Sequence, residues 1–159
     1  MLFCANTGEE FDLADEHCEE LFEKAFAWYE ERAEQGDVEM QYEYALLHLN
    51  NANWCAGREK GMYWLKGAAE QRYRPACHRL GLELLKAKGK DGSTHQGIRW
   101  LERAAELGDE GACRELGALY LLGHANGLYS RNDPKPPVKL LEPNSNIAVK
   151  WYERAISLG

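Results

Sequence analysis

Residues Gly97 to Ala112 read GIRWLERAAELGDEGA, and the same pattern recurs through the chain. Earlier copies are AFAWYEERAEQGD at Ala25 to Asp37 and GMYWLKGAAEQR at Gly61 to Arg72; a last copy, AVKWYERAISLG, runs from Ala148 to Gly159. Trp28 to Trp64 is 36 residues, Trp64 to Trp100 is 36 again, and Trp100 to Trp151 is 51, one period plus 15 residues. Self-similarity at this period means stacked supersecondary units, each unable to bury its apolar face alone.

Working outward, the residues before and after each copy supply helix punctuation. From about Asp12 to Gln35 the apolar positions Leu13, Cys18, Leu21, Phe22, Ala25, Phe26, Tyr29 and Ala33 recur at three and four, which predicts one long helix. Gly36 then ends it and Asp37 starts the next, and Gly108-Asp109 repeats the pair. Glycine accepts the left-handed conformation past a helix end, and the aspartate carboxylate takes orphan amides of the following helix. Each corner leads to a second helix whose members also align at 36: Tyr44, Leu80 and Leu116; Ala45, Gly81 and Gly117; His48, Leu84 and Tyr120. The unit is therefore a helical hairpin. Small residues at Ala68-Ala69, Ala104-Ala105, Ala45, Gly81 and Gly117 are expected where helices approach closely. Ser93-Thr94-His95-Gln96 fits a capping box.

The chain thus reads as one all-α domain over 1–159, a solenoid of about seven helices on 36-residue repeats. An acidic segment, 1–24, precedes repeats at 25–60, 61–96 and 97–123. A segment at 124–143 holding four of the five prolines cannot continue a helix, and a terminal helix at 144–159 has no following hairpin partner. That uncapped end admits a weak homodimer.

Charge excludes some functions. The net charge is −7, but residues 1–39 carry 13 acidic and 2 basic side chains while 40–159 carry 13 acidic and 17 basic. Nucleic-acid binding wants a continuous basic face, so an acidic N-terminal end argues against it and suits a basic protein partner. No run approaches the length of a membrane span and the first residues lack a secretory pattern, so a cytoplasmic protein without membrane attachment is expected. Cys4, Cys18, Cys55, Cys77 and Cys113 are odd in number and irregularly spaced, which fits reduced thiols rather than a disulfide framework.

The repeated residues WYERAEQGD, WLKGAAEQ, WLERAAELGDEGA and LGALYLLG resemble the Sel-one-like repeat (SLR) family, relatives of tetratricopeptide repeats. Leu116-Gly117 with Tyr120, and Trp100 with Ala104, Ala105 and Gly108, carry the match; Tyr44-Ala45 stands where the family has Leu-Gly, and Arg72 where it has Gly. The resemblance implies a right-handed α-solenoid acting as an adaptor or scaffold for a protein or peptide, with no chemistry and no cofactor of its own. By analogy with tetratricopeptide stacks, it also implies a concave face. Tyr42, Glu43, Leu46 and Leu49 would line it, then His78, Arg79, Leu82 and Leu85, then Arg114, Glu115, Ala118 and Leu121. An immunity-type inhibitor of a bacterial toxin is the alternative use of such a small acidic binding domain.

There is no phosphate-cradling glycine loop, CxxC pair, HExxH or nucleophile elbow, so an enzyme is not expected. His17-Cys18 and Cys77-His78 are adjacent pairs, which point about 100° apart on a helix, so no metal site is expected either. His48 replaces an aromatic of the repeat and reads as a core histidine.

Overall fold

A computed structural model describes residues 16–50, 57–86, 93–123 and 140–159. These form seven helices: α1 (Glu16–Glu34), α2 (Val38–Asn50), α3 (Arg58–Glu70), α4 (Arg74–Lys86), α5 (Ser93–Glu106), α6 (Glu110–Leu122) and α7 (Ser145–Leu158). Each helix packs mainly on its neighbours in sequence, the arrangement of an all-α repeat solenoid. Residues 1–15, 51–56, 87–92 and 124–139, with Cys4, Cys55 and most of the proline-rich insertion among them, lie outside the described residues, as do the His17 and Cys18 side chains.

The corners form as the sequence chemistry requires. At the end of α1, Gly36 N–H donates to Ala33 O (3.1 Å) and Asp37 N–H to Arg32 O (3.2 Å), with Gly36 at φ 89°. At the end of α5, Gly108 and Asp109 repeat both bonds to Ala105 and Ala104, with φ 83° at Gly108. This two-bond pattern closes a helix, and the residue after glycine then caps the next one. Asp37 Oδ1 accepts from Met40 N and Asp109 Oδ1 from Ala112 N. The third corner keeps the geometry without the glycine. Arg72 adopts φ 63°, its N–H donates to Ala69 O, and Tyr73 N–H donates to Ala68 O.

Packing separates the tight seams from the loose ones. Glycine sits where the second helix of a pair crosses the first. A Cβ at Gly81 would lie 2.7 Å from Leu101 Cγ and 3.0 Å from Gly97 O. At Gly117 it would lie 2.9 Å from the Tyr152 ring, and at Gly61 2.9 Å from Leu49 Cγ. The closely packed hairpins are therefore α2–α3, α4–α5 and α6–α7, with α1 packed more loosely on α2. The core runs through them as Ala45, Leu65, Ala68, Ala69, Leu80, Leu101, Ala104, Ala105, Leu116 and Leu119.

α7, the last helix, packs along α6, the helix before it, and Arg154 Nη2 donates to Ala105 O at 3.1 Å, adding a second bond to the carbonyl that Gly108 N–H already reaches. The hairpin closes across the insertion because both ends of that insertion are tied at one point. Leu140 N–H and Leu141 N–H donate to Gly123 O, and Asn144 N–H donates to Tyr120 O. One expectation is corrected: the capping box at Ser93 is not formed. α5 begins at Ser93 itself, and its buried hydroxyl finds no partner among the described residues.

Candidate functional site

The twelve residues expected on one face all lie on α2, α4 and α6, the first helices of the three hairpins. Ten of them are half-buried or exposed. Leu85 and Ala118 are 1% and 0% exposed and belong to the core, a correction to the expected lining. The cause is visible at Leu85, whose Cγ and Cδ2 fill the space above Gly97 in the α4–α5 seam. Leu49 stands at the same place over Gly61, so the position five after the repeat leucine serves the seam first and the surface second. Leu121, the third member of that set, is exposed.

The remaining residues make a mixed surface with fixed anchors. Tyr42 stacks edge-on against Tyr73 with centroids 5.4 Å apart, and burial pushes its phenol up while the Arg79 charge works the other way. Arg79 is held from two sides: Nη2 donates to Asn50 Oδ1 at 3.2 Å, and Nε lies 3.2 Å from Glu83 Oε1. Its guanidinium is thereby held in place by contacts within the chain. His78 is occupied differently. Its Nδ1 lies 3.2 Å from Asp109 Oδ1, tying α4 to the cap of α6. Burial alone would raise the Asp109 carboxyl, but His78 and the Ala112 amide outweigh it and hold it below the usual range. Arg114 pairs at 3.5 Å with Glu110 on its own helix and stays largely exposed.

Glu83 was not foreseen as part of this surface. It is 3% exposed, yet three cations reach it: Arg58 Nη2 at 2.9 Å from α3, Lys86 Nζ at 2.9 Å and Arg79 Nε at 3.2 Å. Burial opposes its charge, and the three cations together hold the carboxyl below its ordinary value. The signal was present in the repeat register, since Leu47 and Leu119 occupy the equivalent positions.

The groups with catalytic potential are engaged in packing. His48 is buried, edge-on to Tyr44 (4.5 Å) and Phe26 (5.7 Å). Cys77 and Cys113 are free and buried, and burial pushes both thiols up, away from the reactive thiolate. Among the described residues no three metal-ligating side chains come together, and no helix is long and apolar enough to cross a membrane.

A family model of the Sel1 repeat matches residues 18–37, 74–109, 111–135 and 139–159. The second match spans α4 and α5, so it has the phase of the tight hairpins. A Sel1 repeat protein from Oxalobacter formigenes superposes with a TM-score of 0.66 at 26% identity, covering 86% of this chain and 49% of that one. The protein c5321, a protective antigen present in uropathogenic Escherichia coli strains and displaying an SLR fold, superposes with a TM-score of 0.64 at 27% identity, covering 83% of this chain and 25% of that one. The chain thus spans about half and a quarter of the lengths of these two proteins. No curated protein aligns significantly with it.

Proposed function

We propose that this chain, which belongs to the Sel1 repeat family, is a scaffold that binds a protein or peptide along the concave face of α2, α4 and α6. Sel1 repeats are generally protein–protein interaction modules, and the family is typically non-catalytic. The observation that carries the narrower reading is the preset anchor Arg79, fixed by Asn50 and Glu83 beside the half-buried ring of Tyr42. Aromatic and arginine side chains dominate interface energetics, and here both are held in place by contacts within the chain. Leu46, Leu82 and Leu121 add apolar surface, and Arg114 adds an exposed cation further along. The test is affinity capture with Tyr42→Ala combined with Arg114→Glu, a pair that spares the Glu83 cluster.

A narrower form is an inhibitor of a basic protein toxin. What supports it is α1, where Glu23, Glu31 and Glu34 are exposed on the acidic end of the chain. Co-expression with a neighbouring toxin should restore growth, and failure to do so counts against this form alone. The free thiols of Cys77 and Cys113 suit a reducing compartment, the cytoplasm in this reading. Weak self-association would use α7, whose Val149 and Ile156 side chains face solvent. Light scattering that shows a strict monomer at high concentration would exclude it.

A further inference from the structure

Helices α1, α3, α5 and α7 each carry a tryptophan at the same place in the repeat. In three of them an arginine one turn later lies over the indole. Arg32 Cζ is 5.8 Å from the Trp28 ring, Arg103 Cζ 5.4 Å from Trp100, and Arg154 Cζ 5.8 Å from Trp151. In α3 the position of Arg103 and Arg154 is taken by Gly67.

Neither backbone nor packing requires that glycine. Gly67 is not among the positive-φ residues, and a Cβ there would meet only Gln41 Oε1, at an ordinary 3.6 Å. Gly61, Gly81 and Gly97, by contrast, are pressed against neighbouring helices. A glycine inside a helix weakens it relative to every residue but proline, so this one acts through the space it leaves. That space is an open cleft of about 400 Å³ beside Trp64, and an adjoining one of about 560 Å³ reaches Glu34.

The walls of the cleft lack what an arginine would supply. Gln41 Oε1 accepts one bond, from Gln71 Nε2 at 2.8 Å, and keeps a second lone pair. Glu70 lines the first cleft and pairs only loosely with Lys66, at 3.7 Å, while Glu34 makes no ion pair among the described residues. The Trp64 indole N–H is buried and has no partner among the described residues.

We propose that this cleft receives an arginine side chain from a partner protein, restoring from outside the guanidinium-over-indole stack that the other repeats make internally. Guanidinium suits the site better than ammonium because its plane stacks on an aromatic face while its edge donates to the amide and carboxylate oxygens. None of the residues lining it is among the twelve assigned to the concave face, so the two surfaces stand or fall separately.

The experiment is a titration of the full chain with Nα-acetyl-arginine amide, followed by the indole N–H resonance of Trp64, assigned by comparison with Trp64→Phe. Nα-Acetyl-citrulline amide, the uncharged isostere, serves as the comparison. The expected result is a saturable shift of the Trp64 signal, with the Trp28, Trp100 and Trp151 signals unmoved and the citrulline probe about tenfold weaker. Gly67→Arg, whose side chain enters open space, should be at least as stable as the parent and lose the response. An unmoved Trp64 signal, equal binding of citrulline, or an undiminished response in folded Gly67→Arg overturns the proposal. Should Gly67→Arg fail to fold, the arginine-against-citrulline comparison on the parent chain decides it.

Discussion

Gly81 and Leu101 meet across the α4–α5 seam so closely that a Cβ on residue 81 would lie 2.7 Å from Leu101 Cγ. The second nearby obstacle is backbone, Gly97 O at 3.0 Å, which cannot swing aside. Gly81→Ala should therefore destabilise the fold by up to about 2 kcal/mol, the overpacking cost of about 1–3 kcal/mol less the roughly 1 kcal/mol that alanine gains in helix propensity. Gly67→Ala is the matched control, with no obstacle nearer than 3.6 Å, and should stabilise by up to about 1 kcal/mol. Urea denaturation of both variants checks the sign of each change.

Arg72 occupies the left-handed conformation that Gly36 and Gly108 hold at the equivalent corners. A side chain there costs about 1–2 kcal/mol, while glycine loses about 0.4–1 kcal/mol through added freedom in the unfolded chain. Arg72→Gly should raise stability by about 0.5–1 kcal/mol, read as a higher urea midpoint with unchanged slope.

Glu83 predicts a pH dependence. Its folded-state pKa lies below the ordinary value of 4.5, so its ionised form stabilises the fold above that value, and the contribution is lost as pH falls through the folded pKa. Glu83→Gln should cost about 1–2 kcal/mol near neutral pH, less than a fully buried ion pair because Arg58, Arg79 and Lys86 are partly solvated. The gap between parent and variant should close below pH 4.5. A gap that persists unchanged in acid would show that the residue acts by shape alone.

Much of this architecture was legible because the repeat writes its own punctuation. Gly36-Asp37 and Gly108-Asp109 mark both corners where side-chain chemistry sets the turn, and the 36-residue register places Ala45, Gly81 and Gly117 at the helix crossings. Arg72 hid the third corner, since a non-glycine residue in that conformation is held by the surrounding helices rather than by its own preference. Leu85 was misplaced because a position on a helix does not reveal that the facing Gly97 opens space for it. Ser93 carries a capping pattern but lies inside the helix it was expected to precede. Glu83 and Gly67 were legible only as departures from the residues one period away, and each such departure marks a place where one hairpin differs from the others.

The central claim is that the face of α2, α4 and α6 binds a protein. Affinity capture of the tagged chain from its native cells, quantified by mass spectrometry beside Tyr42→Ala with Arg114→Glu, tests it most directly. The account predicts one dominant partner whose recovery falls about tenfold or more in the variant, a loss of about 1.4 kcal/mol or greater, while circular dichroism shows the variant still folded. Equal recovery by parent and variant, or no specific partner on the parent chain, would contradict it.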